Sequence, residues 1–358
     1  MNEKLKNLIL FNEEAYDKLK KYLIYNVSSV KEIFILVDNI TKKYCLPTLF
    51  KYLFFLKKSH IIQINTGEEK KNIYTCIKIC KEIEIKKGNR ESILINLGGG
   101  VITDMGGFVA SIFKRGIRFI NIPTTLLGMV DASVGYKNGI NLGSIKNEIG
   151  SFYIPKLLII DINFLKTLHD KEVISGMSEM FKYGLIKDKN FWIDMKKYSL
   201  LYIKNKKLDK KIWNYLVKKS IIIKQKIVEK DPKENGLRKI LNFGHTIGHA
   251  LESFFMKKKK IMHGIAVANG MIHESWISYK IDKLSNLDYK EIKSTLLYLY
   301  SITYKFSNKE IEKMFEIMQY DKKNKNNKIQ FSLLNKIGNC SYNCIVSNSI
   351  IKKSFLNF

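Results

Sequence analysis

The stretch Ser92-Ile-Leu-Ile-Asn-Leu-Gly-Gly-Gly-Val-Ile-Thr-Asp104 decides how this chain folds. It opens as a short apolar run with no polar alternation, the pattern of a strand covered on both faces. The run ends directly in Gly98-Gly99-Gly100, and a helical pattern follows. Glycines at such a junction let the backbone come close to a phosphate, whose charge the free N–H groups and the helix dipole favour. The segment is not G-x-G-x-x-G, and taken alone it describes a tight turn equally well.

The alternation continues on both sides. Leu8–Phe11, Ile33–Val37 and Ile61–Ile64 read as strands before it, Phe119–Ile122 and Leu157–Ile160 after it. Helical patterns cover Glu13–Leu23, Thr41–Lys57 and Lys70–Lys86. Strand and helix in turn mean βαβ units and a mostly parallel sheet. At its carboxyl edge, where open α/β sheets bind ligands, the glycine run would meet Thr66-Gly-Glu68-Glu-Lys-Lys71, Thr124-Thr125 and Asp131. The stretch Gly135-Tyr-Lys137-Asn-Gly-Ile-Asn141, with Lys146 and Asn147, reads as a polar loop able to face a second anionic group.

The texture changes near residue 170, where apolar residues begin to recur at helical spacing. The domain reading is therefore 1–172 for the α/β part and 173–358 for a mainly helical part, with a small hairpin from Lys328–Leu334 and Cys344–Val346. The lysine-rich stretches 257–260 and 322–328 read as solvated loops, because like charges repel and do not pack.

Lys and Arg number 62 against 33 Asp and Glu, a net charge of +29 that invites a nucleic-acid partner. The excess is almost all Lys, scattered beside abundant Ile, Asn, Tyr and Phe, the residue set that AT-rich codons supply. No nucleic-acid partner is expected, although the field would attract an anionic substrate. Against that background Arg115 and Arg118, two of four arginines, stand out, since Arg keeps a bidentate geometry that Lys lacks. The five cysteines lack C-x-x-C spacing and suit a reducing compartment. With no signal-peptide pattern and no long apolar run, a soluble cytoplasmic protein without membrane partners is expected.

Histidine is scarce, and three of the six fall in Asn242-Phe-Gly-His245-Thr-Ile-Gly-His249 and Met262-His263-Gly. Neutral imidazole is the commonest ligand for divalent transition metals. Ser175-Gly-Met-Ser-Glu179-Met-Phe-Lys182-Tyr-Gly offers a third ligand, and a Glu-His-His set is the composition of an open, catalytic metal centre. His245, His249 and Glu252 share one helix face, with His249 either a ligand or a neighbour that moves protons.

These segments, together with Arg115-Gly-Ile-Arg-Phe, Pro123-Thr-Thr-Leu-Leu, Val130-Asp131-Ala-Ser-Val-Gly, Leu165-Lys-Thr-Leu and Gly236-Leu-Arg238, resemble the 3-dehydroquinate synthase family of the sugar-phosphate cyclase superfamily. They occur in that family's order from about Glu68 to Lys323. The resemblance implies a Rossmann-like NAD-binding domain followed by a helical metal-binding domain. It also implies a homodimer and a phosphorus–oxygen lyase of the shikimate pathway, in which 3-deoxy-D-arabino-heptulosonate 7-phosphate gives 3-dehydroquinate and phosphate.

It further implies recycled NAD and a divalent metal, zinc or alternatively cobalt, held by Glu179, His245 and His263. NAD would lie on Asn39, Glu68, Lys71, Gly100, Val101, Ile102, Thr103, Asp104, Thr124, Thr125, Asp131, Lys137, Lys146, Phe164, Leu165, Lys166 and Thr167. Lys137, Asn147 or Asn141, Asn242, His249 and Lys322 or Lys323 would hold the phosphate, with Arg115 reaching over from the other subunit. Lys224 and Arg238 would bind the carboxylate. Lys137, Lys182, Asn242 and His249 are the catalytic candidates, His249 as helper in proton transfer. The alternatives are another sugar-phosphate cyclase, whose carboxylate-free substrate would not need Lys224 and Arg238, and a metal-dependent polyol dehydrogenase, which would release reduced NAD. Three positions depart from the family pattern: Tyr136 for Gly, with backbone strain expected, Ile265 for Glu, and Lys233 for Arg.

Overall fold

Runs such as Ile33-Phe-Ile-Leu-Val are apolar on both strand faces and need cover on both sides, which a parallel sheet between helices gives them. The computed structural model describes residues 8–143, 145–256, 261–300, 305–319 and 328–356. The chain separates into two compact units, Met1–Val173 and Ile174–Phe358.

The first unit runs β1 (Ile9–Phe11), α1 (Glu14–Asn26), β2 (Ile33–Asp38), α2 (Asn39–Tyr44), α3 (Leu46–Tyr52), β3 (His60–Ile64), α4 (Ile73–Ile85) and β4 (Ile93–Gly98). It continues with α5 (Gly100–Ile112), β5 (Arg118–Pro123), β6 (Lys137–Leu142), β7 (Ile145–Phe152) and β8 (Leu157–Ile160). Six strands form one sheet in the order β1-β8-β5-β4-β2-β3, with every neighbouring pair parallel. Phe34, Leu36, Leu94 and Phe119 meet Met105 and Val109 of α5 and Ile79 and Ile83 of α4 in one core. Each such side chain contributes roughly 1.5–3 kcal/mol when fully buried. After β2 the chain leaves for β3 on one side; after β4 it leaves for β5 on the other. The carboxyl ends of β2 and β4 are thus a topological switch point, the position at which open α/β sheets bind ligands.

Two local expectations need correction. The helical reading of 41–57 breaks into α2, α3 and a 3₁₀ turn, because Pro47 in the first turn of α3 has no N–H to continue α2. The stretch read as a polar loop is the antiparallel hairpin β6–β7, in which Asn138, Gly139 and Ile140 are buried. Tyr136, just ahead of it, takes φ of 63°, so the residue in the Gly position does carry left-handed strain.

The second unit begins within α6 (Asp170–Lys187) and adds α7 (Lys189–Asn205), α8 (Lys210–Lys230), α9 (His245–Phe255), α10 (His263–Lys280), α11 (Asn286–Tyr300) and α12 (Asn308–Gln319). The antiparallel hairpin of β9 (Gln330–Lys336) and β10 (Asn339–Ile345) and helix α13 (Asn348–Leu356) close it. Phe181 of α6 meets Trp192 and Tyr300 edge to face, at 5.4 and 6.4 Å between ring centres. No helix among the described residues is long and apolar enough to cross a membrane.

Candidate active site

In the first unit Asn39, Glu68, Lys71 and Gly100 to Asp104 stand in the loops and helix starts that follow β2, β3 and β4. Asp38 caps α2 by accepting from Thr41 N at 2.7 Å, while Thr41 Oγ1 accepts from Asp38 N. Asn39 follows the end of β2, and its Oδ1 accepts from Thr66 N and Thr66 Oγ1 at 2.8 and 2.6 Å, tying this loop to the one after β3. Gly100, Val101, Ile102, Thr103 and Asp104 form the first turn of α5, whose N-cap Gly99 supplies no side chain to its amides. The buried Lys71 ammonium donates to Asp104 Oδ2 at 2.6 Å and to Asn147 Oδ1 at 2.5 Å. Asn141 joins the same network by donating to Glu68 Oε1 at 2.9 Å and accepting from Asn147 N at 2.9 Å. Burial raises the Asp104 pKa; Lys71 pulls it back, and Glu68 and Asp131 push the same way as burial.

The remaining residues of this half differ in what they expose. Thr124 N donates to Gly98 O, Thr125 Oγ1 accepts from Gly128 N, and Asp131 stands in the π-helical turn Gly128–Ala132. Lys137 is exposed at the start of β6 and Lys146 half-buried on β7. In the 3₁₀ turn Ile162–Thr167 the side chains of Phe164 and Leu165 lie in the core, so only Lys166 and Thr167 present side chains outward. Arg115 is exposed in a left-handed turn, with φ of 68°. Arg118 has a structural role, bonded to Glu91 Oε2 and Asn26 Oδ1 at 3.0 and 3.1 Å.

In the second unit three helices bring Glu179, His245 and His263 to one point. Gly264 is what lets α10 reach α6: a Cβ there would stand 2.0 Å from the Ser175 carbonyl oxygen, and Gly264 N donates to Ser175 Oγ at 3.1 Å. Glu179 Oε1 then lies 3.4 Å from His245 Nε2 and 3.7 Å from His263 Nε2. Donors around a tetrahedral zinc, each about 2.0–2.2 Å from it, stand about 3.3–3.6 Å apart. Neither Glu179 oxygen accepts a well-formed hydrogen bond, although the carboxylate is fully buried and Lys182 pairs with Oε2. Even beside Lys182, a buried carboxylate in that state keeps lone pairs for a further cation, so the residues fit a divalent ion.

Both imidazoles are held in the orientation a metal ligand needs. His245 Nδ1 lies 3.2 Å from Phe243 O and His263 Nδ1 3.2 Å from Glu252 Oε2, which leaves each Nε2 lone pair facing Glu179. Burial works against the charged form of Glu179, but Lys182 and His245 outweigh it and hold its pKa well below the usual carboxylate range. Burial and Lys182 lower His245. Burial also pulls His263 down, yet Glu252 and Glu179 carry it up to about 10. His249, half-buried, has its ring 5.3 Å from that of His245 and 6.2 Å from that of His263.

Further residues of this unit form a polar edge. Arg238 is buried and donates from Nη1 to Pro232 O at 2.6 Å, while its N–H and those of Asn235 and Gly236 all donate to the Asp231 carboxylate. Burial raises the Asp231 pKa, and those three donors outweigh it. Asn242 Nδ2 donates to Glu234 Oε1 at 2.7 Å, and Lys224 is buried on α8. Lys322 and Lys323 lie outside the described residues. The sequence reading gave no role to Glu252, although its place one helical face along from His245 and His249 was visible.

A parallel sheet followed in one chain by a helical unit is a fold shared with several solved NAD-dependent enzymes. The fold matches 2-epi-5-epi-valiolone synthase from Streptomyces hygroscopicus, solved with NAD+ and Zn2+, at TM-score 0.86 and 21% identity over 98% of this chain and 95% of that one. It also matches a 2-deoxy-scyllo-inosose synthase, complexed with carbaglucose-6-phosphate, NAD+ and Co2+, at TM-score 0.80 and 23% identity over 97% and 95%.

Within that architecture the chain belongs to the 3-dehydroquinate synthase family. Residues 61–175 match the family's N-terminal domain and 176–324 its C-terminal domain. The chain is 41% identical to the 3-dehydroquinate synthase of Parabacteroides distasonis over 346 residues, 94% of each chain, and 42% identical to that of Campylobacter concisus over 311 residues, 86% of each.

Proposed function

We propose that this chain is a lyase that converts 3-deoxy-D-arabino-heptulosonate 7-phosphate to 3-dehydroquinate and phosphate, with NAD and a divalent metal as resident cofactors. The observation that carries the reading is the convergence of Glu179, His245 and His263 in a chain that belongs to this family across both halves. Glu179, His245 and His263 would hold the metal, and the loops after β2 to β5 and β8 would hold the dinucleotide. When bound, NAD takes and returns a hydride at the substrate, and the metal polarises the hydroxyl that is oxidised.

The chain's own residues bind and orient. The first-turn amides of α5 suit a pyrophosphate. The bridge from Lys71 to Asp104 and Asn147 fixes the wall beside them. Lys224 and Arg238, both buried cations, suit a carboxylate that stays fixed through the reaction. Lys182 pairs with Glu179, and His249, its ring 5.3 Å from that of His245, would be the helper in proton transfer. Lys137, Asn147 and Asn242 complete the anion-binding set, with Arg115 contributed by a partner copy. A homodimer with zinc is the form proposed, its five free thiols fitting a reducing cytoplasm.

The test is to incubate the purified protein with NAD, zinc and the heptulosonate phosphate. Equimolar phosphate and dehydroquinate are expected, with no net change in nicotinamide absorbance. Phosphate release without dehydroquinate, or neither product, would refute the assignment. Sedimentation analysis reports the dimer, and a monomer at working concentration would remove the role given to Arg115.

A further inference from the structure

Helix α9 starts with His245, and its N-cap is Gly244, held at φ of 80° and with no side chain to satisfy the first amides. Two of the first four are nonetheless satisfied, those of Gly244 and Ile247, by Glu274 on the neighbouring helix α10. Glu274 Oε2 accepts from Gly244 N at 2.6 Å and Oε1 accepts from Ile247 N at 3.2 Å. Glu274 is 0% exposed and lies 27 and 30 residues from these partners, so the two helices are joined through its carboxylate. The capping is that of an N-cap side chain and a capping-box partner combined, supplied from outside the helix.

The Gly244 N–H belongs to the same planar peptide as the Phe243 carbonyl. That carbonyl is the oxygen facing His245 Nδ1, at 3.2 Å. A rotation of this peptide would move the N–H away from Glu274 and the carbonyl away from the imidazole together. Glu274 thus fixes the peptide, and the peptide fixes which nitrogen of His245 carries the proton and which way Nε2 points. A chain of hydrogen bonds of this kind also polarises along its length. Close helix approach supports it: a Cβ on Gly270 would stand 2.0 Å from Gly244 O, leaving the two backbones no slack.

We propose that Glu274 is a positioning residue for the metal site, acting on His245 through the Phe243–Gly244 peptide. The proposal rests on His245 being a metal ligand, as argued above. It assigns to Glu274 the part that Glu252 plays by direct contact for His263. Loss of such outer partners lowers metal affinity about 10–100-fold, and that is the range expected for Glu274→Gln. The amide keeps one acceptor and turns an N–H donor toward the other backbone N–H.

The experiment measures Co2+ affinity by chelator competition, and the visible absorption of the Co2+-loaded protein, for wild type, Glu274→Gln, His245→Ala and Ile272→Val. Ile272 is buried on α10 and touches neither the clamp nor the cluster by any hydrogen bond, so it reports a general loss of packing. Glu274→Gln is expected to lose at least tenfold in affinity and to change the absorption band, with Ile272→Val unchanged in both. A Glu274→Gln protein that melts at lower temperature but keeps wild-type affinity and spectrum would overturn the proposal. If His245→Ala also keeps wild-type affinity, the metal assignment itself fails, which is a distinct result. Should Glu274→Gln not fold, Glu274→Asp, one methylene shorter and able to reach one amide, is expected to show the same loss in milder form; wild-type affinity there would overturn the proposal equally.

Discussion

Acid should loosen the helical unit through one buried histidine that has no part in the metal cluster. His273 is 1% exposed on α10, with Nδ1 3.0 Å from Ser354 O and its ring 4.6 Å from that of Phe355, so it docks α13. Burial lowers its pKa from 6.5 to about 3; the Ser354 carbonyl opposes that, and Lys293 adds to it. The folded protein therefore keeps this ring neutral in a range where the unfolded chain protonates it. With the unfolded state binding more protons, stability is complete above pH 6.5 and falls as pH drops toward 3. At about 1.36 kcal/mol per pH unit, the loss between pH 6.5 and 5 is on the order of 2 kcal/mol. Glu or Asp titrations and the other histidines add their own slopes, so the measurement is a difference. Urea unfolding of wild type and His273→Gln, both with chelator present, is compared at pH 8, 7, 6 and 5. Gln can donate to Ser354 O but does not titrate. Its stability deficit at pH 8 should shrink by about 2 kcal/mol at pH 5. Parallel stability curves across this range would refute the assignment of a neutral, acid-sensitive His273.

Three further outcomes follow from named contacts. Lys71→Met should destabilise the α/β unit by about 3 kcal/mol at pH 8 and weaken NAD binding in a fluorescence titration. The stability loss should be smaller at pH 5, because Asp104, raised already by burial, then protonates; an acid whose folded pKa is raised loses stability as pH rises. Glu252→Gln should lower metal affinity about 10–100-fold, since it removes the carboxylate 3.2 Å from His263 Nδ1; unchanged chelator competition would count against that contact. Tyr16→Phe should cost about 1–3 kcal/mol in urea unfolding, because the buried Asp161 Oδ2 loses the hydroxyl donor 2.9 Å away, and a loss near zero would mean that water replaces it.

The strands of the parallel sheet were legible because each is a dense apolar run bounded by turn residues, and their carboxyl ends could be aligned without knowing the strand order. The hairpin β6–β7 was not legible. Asn138, Gly139 and Ile140 are buried in succession, and two of the three are not apolar side chains, so the hydrophobic alternation of a half-buried strand is missing. Asn138 is buried because its amide donates to Tyr153 O at 2.9 Å, a contact made by folding and invisible in a local window. The Glu-His-His cluster was legible through the scarcity of histidine. Its supports were legible only in part. Glu252 lies on the same helix as His245, within reach of helical periodicity, whereas Glu274 reaches Gly244 and Ile247 across a helix crossing made close by Gly244, Gly248 and Gly270.

His245 and His263 are each the first residue of a helix, an unusual address for a cation site. The positive end of each helix disfavours a bound cation by about 0.3–1 kcal/mol when exposed and more when buried. The same field disfavours imidazolium, and only the neutral ring can ligate a metal. At His245 the arrangement therefore gains ligand competence at the expense of raw affinity, whereas at His263 the carboxylates outweigh the field and carry the pKa up to about 10. Glu179 and Glu252 face the two rings directly, and Glu274 caps α9 from behind. A divalent ion together with the Lys182 ammonium, set against the Glu179, Glu252 and Glu274 carboxylates, would leave the cluster close to neutral. The attraction for an anion would then come from the chain's net charge of +29. A neutral polyol would gain nothing from that field, whereas a substrate carrying phosphate and carboxylate groups would be drawn to it, which favours the anionic sugar-acid phosphate over the polyol reading.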